Sequence, residues 1–221
     1  MIPPWFGAVL AYLGQGLLMT LWISALTVSF ATVVGVVVGG MSSSSKIIPR
    51  AVARIYVEIF RGVPSLLTLL FVFFALPHIG VKTSPIAAST IGLGLWGAAN
   101  IAETVRGAIN SISSKQTLSA RALGMSPMKA FVYVVFPQAV RRFLPPYVGQ
   151  LTVLIQSSAL TSIVGVGDLL GTARQMIERL AYIGDGRSHA LIIYGLVLVA
   201  FFIICYSLTM LARQLEKKLR V

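Results

Sequence analysis

Long apolar runs separated by short polar segments dominate the chain. An apolar helix of about 20 residues crosses the ~30 Å hydrocarbon layer of a bilayer, since each residue adds about 1.5 Å. We predict five such spans, at residues 15–40, 55–81, 83–109, 143–167 and 189–213. The second is expected to begin near Ile55, with Glu58 and Arg61 in its first turns. The pattern therefore predicts an all-α polytopic membrane protein, with residues 1–221 as one domain.

The basic residues indicate how these spans are oriented. The chain carries a net charge of +12, and fourteen of its eighteen Lys and Arg residues fall in segments that alternating spans would place on one side. Such residues are enriched on the cytoplasmic side of membrane proteins. We therefore expect the N-terminus outside, the C-terminus inside and residues 113–142 in the cytoplasm. Nucleic-acid binding is not expected, because the basic residues flank apolar runs instead of forming one face.

The polar segment between the third and fourth spans does not fit its apolar neighbours. Thr117 can cap a short helix that begins at Leu118, and Gly124 suits the left-handed position that ends it. Ser126 can cap a second helix with Pro127 at its first position. Pro137 and the Pro145–Pro146 pair are expected to end the helical structure after it. Two short helices result, which either lie on the membrane surface as a connector or form a docking site for a cytoplasmic partner.

Several kinds of chemistry find no support in the sequence. The chain has one cysteine and two histidines, with no ligand spacing for a metal. It has no G-x-x-x-x-G-K-[ST] loop, so we expect no ATP site, no cofactor and no enzymatic activity on this chain. The sequence GVGD at residues 165–168 resembles an intramembrane protease motif, but that chemistry needs a second carboxylate at the same site.

Polar side chains in or near the spans are candidates for function. Four charged residues near the cytoplasmic boundary favour a structural or gating role: Glu58, Arg61, Glu103 and Arg106. The fourth span carries Gln156, Ser157 and Ser158. Lipid cannot satisfy such groups, so they face the helix bundle. They either make hydrogen bonds between helices or contact a transported molecule.

The polar segment also resembles the signature loop of the permease subunits of bacterial ABC (ATP-binding cassette) importers. That loop reads Glu-Ala-Ala, three residues, Gly, nine residues, Ile-x-Leu-Pro. This chain has Leu118-Ser119-Ala120, then Gly124, then Val134-Val135-Phe136-Pro137, with Leu118 where Glu is usual and Ser119 where Ala is usual. The stretches FRGVPSLLTLLFVFFALP and GAANIAETVRGAINSI are similar to those of the polar amino-acid subfamily.

The resemblance implies a type I permease that imports amino acids across the bacterial inner membrane. ATP and Mg would be bound by a partner ATPase dimer, which would dock at the signature loop. Its implied docking residues are Leu118, Ser119, Ala120, Leu123, Gly124, Met125, Met128 and Pro137. The implied cargo residues are Trp96, Asn100, Gln156, Ser157 and Ser158.

Further partners implied by the resemblance are a second permease subunit and an extracytoplasmic binding protein, received in part by residues 167–188. Membrane lipid would surround the assembly. Whether the two permeases are identical, and which amino acid they carry, stays open. The alternative is a gradient-driven secondary transporter or channel subunit, although such proteins usually carry internal repeats and midplane ion sites.

Overall fold

The computed structural model describes residues 4–183 and 189–219 of the chain. These residues are almost entirely helical, and they contain no strand, as the sequence predicts. The main helices are α1 (Pro4–Ser42), α2 (Ile47–Gly62), α3 (Ser65–Ala75), α4 (Pro85–Asn110), α5 (Ser114–Ala122), α6 (Pro127–Ala130), α7 (Phe136–Ser157), α8 (Leu169–Ile183) and α9 (Ala190–Leu219). Arg187 and Arg220, which entered the charge count, and the end of the predicted outer loop at 184–188 lie outside the described residues.

Within residues 4–183 and 189–219, three continuous helical stretches are long and apolar enough to cross a membrane: Trp5–Ser42, Pro127–Val164 and Ala190–Leu219. The pair Ile47–Gly62 and Ser65–Ile79 meets the same requirement only together, which raises the number to four. The five-span topology therefore stays a prediction. The helices also extend beyond several predicted limits: α1 begins at Pro4, and α7 begins at Phe136.

The expectation of one continuous second helix from near Ile55 is wrong. The chain bends by 101° between α2 and α3. Pro64 causes the bend, because a residue that precedes proline avoids the helical region. Val63 accordingly has φ −100° and ψ 136°, an extended conformation. Glu58 and Arg61 therefore belong to α2, an amphipathic helix that ends before the bend.

The expectation that Pro145 and Pro146 end a helix is also wrong, because both lie inside α7. Each proline removes a backbone N–H, which frees the carbonyl of the residue four positions earlier. Both prolines line an open cavity together with Arg141 and Arg142, the residues whose carbonyls are freed. Pro137 lies at the start of α7 and follows a wider, π-helical turn at Phe131–Val135. The helical stretch Pro127–Val164 is continuous through this turn, so the expectation that Pro137 ends the helical structure is wrong too.

The core is built around α1, which passes through three apolar clusters. Its N-terminal part packs with α8 and α9 through Val9 and Leu13. Its middle packs with α3 and α4 through Ile23. In its C-terminal half, Ala31 packs with Ala98 and Ile101 of α4 and with Leu154 of α7.

Close packing of α1 on α4 depends on small residues. A Cβ atom at Gly35 would lie 2.8 Å from the carbonyl oxygen of Ala98, and one at Gly39 would lie 2.8 Å from that of Ala102. The two helices therefore touch backbone to backbone, as the G-x-x-x-G spacing of these glycines suggests. Since residue numbers rise together along the contact, α1 and α4 run parallel.

Candidate functional site

The polar segment between α4 and α7 folds into two short helices at an angle, which we call the elbow (residues 113–130). Ser113 caps α5, since its side chain accepts from the N–H of Lys115, so the assignment of Thr117 as the cap is wrong. The predicted turn at Gly124 is confirmed, with φ +83°. The predicted cap at Ser126 is confirmed too, because its Oγ accepts from the N–H of Lys129 at 3.4 Å.

Backbone hydrogen bonds fix the bend of the elbow. The N–H of Gly124 donates to the carbonyl of Arg121 at 3.0 Å, and the N–H of Met125 donates to that of Ala120 at 3.2 Å. This pair of bonds ends helices in which a glycine takes the left-handed conformation. The angle between α5 and α6 is therefore set by local hydrogen bonding around one glycine.

The elbow has a buried side and a bare apolar side. Ala120 and Ala130 are buried, while Leu118 is 65%, Leu123 82% and Met128 71% exposed. Of the other predicted docking residues, Ser119, Gly124 and Pro137 are exposed, whereas Met125 is half-buried. Large apolar side chains exposed together at a bend between helices are typical of a protein interaction site.

The elbow is attached firmly to the helices beside it. Ile112, Val135 and Ala139 form a small apolar cluster beneath it, and Arg142 donates from Nη1 to the carbonyl oxygen of Ser111 at 2.5 Å. These contacts join the end of α4 to the start of α7. A force applied to the elbow would therefore act on two long helices at once.

The five predicted cargo residues do not form one pocket within a single chain. Trp96 and Asn100 lie together on α4, where Asn100 Nδ2 donates to the carbonyl of Trp96 at 3.0 Å. Ser157 donates to the carbonyl of Val153, and the buried Ser158 donates to that of Ile155. Gln156 is exposed and lies beside Cys205 of α9. Two cavities, of about 670 and 250 Å³, open elsewhere on the chain, and none of the five residues lines either one.

The four charged residues named as structural or gating do come together. Arg106 binds Glu103 with two hydrogen bonds, from Nε at 2.8 Å and from Nη2 at 2.5 Å. Arg61 of α2 lies 3.9 Å from the same carboxylate. Glu58 lines the smaller cavity beside these residues, but it forms no ion pair among the described residues. The Glu103 carboxylate thus links α2, which lies before the bend, to the C-terminal part of α4.

A buried polar joint connects α1 with α8, and the sequence did not reveal it. Thr20 Oγ1 accepts from the N–H of Leu169 at 2.9 Å, and both residues are fully or almost fully buried. Asp168 caps α8, as predicted, because its Oδ1 accepts from the N–H of Gly171 at 3.0 Å. Its Oδ2 has no partner among the described residues, and burial raises the pKa of this carboxyl to about 6.

Replacing Thr20 with valine should weaken this joint. Valine keeps the shape but leaves the buried N–H of Leu169 unpaired, at a cost of about 2 kcal/mol. We expect the midpoint of thermal unfolding in detergent to fall by roughly 4–8 °C. Ser29→Ala on the same helix is the matched control, because Ser29 only donates to the carbonyl of Ala25 at an exposed site. Equal midpoints for the two variants would contradict the role given to Thr20.

No metal centre is visible in the described parts of the chain, since no group of three or more potential His, Cys, Asp or Glu ligands occurs there. The arrangement is instead that of a helical membrane protein with a protruding, partly apolar elbow at its basic end. Such an arrangement can transmit movement between a soluble partner and the spans.

Comparison with known proteins assigns the family. Residues 31–221 match the family described as "Binding-protein-dependent transport system inner membrane component", and the chain belongs to it. The resemblance to ABC importer permeases seen in the sequence is thereby confirmed. Among curated relatives, the probable glutamine ABC transporter permease protein GlnP of Bacillus subtilis is 31% identical over 207 residues, which cover 94% of this chain and 93% of the relative.

Further relatives agree. The glutamine transport system permease protein GlnP of Escherichia coli is 32% identical over 209 residues, which cover 94% of this chain and 92% of its own. A solved amino acid ABC transporter with histidines shares 28% identity and a TM-score of 0.87, over 99% of this chain and 100% of the other. The inward-facing methionine transporter MetNI, at 24% identity and a TM-score of 0.75 over the full length of both chains, shows the same fold.

Proposed function

We propose that this chain is the permease subunit of an ABC importer that moves amino acids across the bacterial inner membrane. The observation that carries the proposal is the elbow, which bares Leu118, Leu123 and Met128 at the basic end of the helix bundle. An ATPase of the ABC type, which would hold ATP and Mg, would bind to this surface. Closure of the ATPase dimer would move the elbows of two permeases and reorient their spans.

The packing of the helices supports the proposed five-span topology. α1 and α4 run parallel, and the bond from Arg142 to Ser111 joins the start of α7 to the end of α4. Arg142 also shares a cavity with Arg213 near the end of α9. These contacts are the ones expected if chain direction alternates from one span to the next along the sequence. The ends of α1, α4 and α9 would then lie on the same side as the starts of α3 and α7. The basic residues near this end favour a cytoplasmic location for it and for the C-terminus.

The importer assembly would contain two permeases, a pair of ATPases and an outside binding protein, which would contact the end of the bundle near residues 167–188. Within one chain, α4 contributes Trp96 and Asn100 and α7 contributes Gln156. These three residues do not enclose a site. We therefore infer that cargo passes through a cavity completed by the second permease, identical or similar to this one. Residues 1–221 would act as a single transmembrane domain in this assembly.

The cargo we propose is an amino acid with an uncharged polar side chain. The Escherichia coli relative is a glutamine transport system permease, and the Bacillus subtilis relative is named a probable glutamine permease. The proposed contacts are a tryptophan, an asparagine, a glutamine and two serines, none of which carries a charge. Neutral groups of this kind match the amide of glutamine, which both donates and accepts hydrogen bonds.

Stimulation of ATP hydrolysis by cargo tests this proposal. We expect glutamine, but neither arginine nor glutamate, to raise ATP hydrolysis by the reconstituted complex of permease, ATPase and binding protein. In the variant Gln156→Ala, we expect the glutamine concentration for half-maximal stimulation to rise roughly fivefold, because one polar contact of about 1 kcal/mol is lost. ATP hydrolysis without cargo should persist.

A matched control exists for the neighbouring serine. Ser157→Ala should weaken stimulation in the same way, whereas Ser207→Ala should leave it unchanged. Both hydroxyls donate to the carbonyl four residues earlier, and both lie on long apolar helices. If Gln156→Ala and Ser157→Ala both leave cargo stimulation intact, the site assignment is wrong.

The alternative of a gradient-driven transporter makes a different prediction. Uptake by the purified chain alone, driven by a proton or sodium gradient without ATP, would favour it. The proposed importer predicts no uptake under these conditions.

A further inference from the structure

The larger of the two cavities opens between the start of α7 and the end of α9. Its volume is about 670 Å³. Its polar lining consists of Gln138, Arg141 and Arg142 of α7 and of Thr209, Arg213 and Glu216 of α9. None of these residues belongs to the elbow or to the proposed cargo pathway. The cavity therefore calls for a separate explanation.

The charges in this cavity are unbalanced. Three arginines face one glutamate, and among the described residues only Arg142 has a hydrogen-bond partner, the carbonyl of Ser111. Arg141, Arg213 and Glu216 are exposed and form no ion pair within the described ranges. The cavity beside Glu103 differs in this respect, because there the carboxylate binds two arginines. A pocket with spare guanidinium groups is suited to an anion, and phosphate fits their planar fork best.

The surroundings of the cavity indicate which phosphate it would take. Phe202, Tyr206, Thr209 and Arg213 follow one another at spacings of four, three and four residues, so they lie on one face of α9. Phe202 is 65% and Tyr206 50% exposed, and their rings stack at 5.4 Å. α9 is long and apolar enough to cross the membrane, so this exposed face lies at the depth of the lipid chains. A bare apolar stripe thus leads directly to the basic cavity.

We propose that this cavity binds the phosphate of an anionic membrane phospholipid, whose acyl chains lie along Phe202 and Tyr206. Arg141 and Arg213 supply the charge from opposite walls, and Gln138 lies within the same cavity, where its Nε2 has a second N–H besides the one that donates to the carbonyl of Val134. Basic pockets between spans on the cytoplasmic side are suited to acidic headgroups. The lipid is placed in the cytoplasmic leaflet because of the proposed orientation of the chain. The binding site itself does not depend on the transport function.

Native mass spectrometry of the purified full-length chain in detergent tests the proposal. We expect one phosphatidylglycerol molecule to bind per chain, at least tenfold more tightly than phosphatidylcholine, whose headgroup carries no net charge. The double variant Arg141→Gln, Arg213→Gln should weaken phosphatidylglycerol binding by roughly 10- to 30-fold, at about 1 kcal/mol for each basic residue near the surface. The control Lys46→Gln, Lys218→Gln removes two exposed positive charges outside the cavity and should leave binding within about twofold of the parent.

Each other outcome overturns the proposal. Equal weakening by both double variants would mean general attraction between charges, and equal binding of both lipids would mean an apolar contact only. Competition by inorganic phosphate at the concentration of the lipid would identify a soluble anion as the ligand. Loss of ATPase co-purification with Arg141→Gln, Arg213→Gln, while lipid binding persists, would assign the cavity to the protein partner. If the lipid does not bind, the importer function is still tested separately, by measuring ATP-driven uptake in proteoliposomes.

Discussion

Replacing Leu123 with aspartate is expected to release the ATPase from the permease and to abolish ATP-driven uptake. Leu123 is 82% exposed at the tip of the elbow, beside the left-handed Gly124. Side chains at the centre of an interface commonly contribute 2 kcal/mol or more to binding. A buried, unpaired carboxylate adds a desolvation cost. We therefore expect the affinity for the ATPase to fall roughly 30-fold or more, measured by co-purification and by light scattering of the complex.

A matched variant separates docking from general damage. Ile79→Asp places the same charge at a residue that is 73% exposed on the short α3–α4 connection, at the other end of the bundle. This variant should keep the ATPase bound. The docking role of the elbow would be contradicted if Leu123→Asp retained the ATPase, or if both variants lost it to the same extent.

Replacing Gly35 with valine is expected to have the largest effect on stability. A Cβ atom there would lie 2.7 Å from Cβ of Ile101 and 2.8 Å from the carbonyl oxygen of Ala98. Backbone on the facing helix cannot move aside as a flexible side chain can, so α1 must separate from α4. Overpacking of this kind costs about 3 kcal/mol, and we expect the thermal midpoint in detergent to fall by roughly 6–12 °C.

The same helix supplies the control. A Cβ atom at Gly40 has no neighbour within 4 Å, so Gly40→Val makes the same chemical change on α1 without the clash. Its midpoint should stay within about 3 °C of the parent. If Gly35→Val is as stable as Gly40→Val, the contact between α1 and α4 is looser than described.

Local rules predicted the elbow better than they predicted its borders. The turn at Gly124 and the cap at Ser126 could be inferred from residues adjacent in sequence, and the structure confirms both. The first cap was misplaced at Thr117, because Ser113 satisfies the same rule one turn earlier. Ile112 packs beneath the elbow, and this contact places the next residue, Ser113, where it can cap the helix.

The effect of proline on the helices differs from the sequence-based expectation at two places. Apolar residues on both sides of Pro64 suggested one continuous span, yet the constraint on Val63 decided the local conformation and bent the chain. At Pro145 and Pro146 the opposite occurred, since the helix continues past both residues. An open cavity between α7 and α9 lies beside them and beside Arg141 and Arg142, whose carbonyls are freed, and a tertiary feature of this kind cannot be read from neighbouring residues.

Contacts between distant parts of the chain could not be predicted. Thr20 and Leu169 are separated by 149 residues, and nothing near either one identifies the other. The buried hydroxyls of Thr20, Ser24 and Thr27 lie on one face of α1, which indicates only that this face turns inward. The sequence placed Glu103 with Arg106 correctly because they lie one helical turn apart, but the approach of Arg61 depends on the bend at Pro64.

The proposed importer function depends most on the elbow facing the cytoplasm and holding the ATPase there. The measurement that tests this most directly is labelling of a single cysteine, Leu123→Cys, in a background where the buried native cysteine is replaced (Cys205→Ala). A membrane-impermeant maleimide should label this residue in inside-out vesicles and not in right-side-out vesicles, and bound ATPase should protect it. Labelling from the outer side, or labelling that the ATPase does not slow, would contradict the proposed role of the elbow.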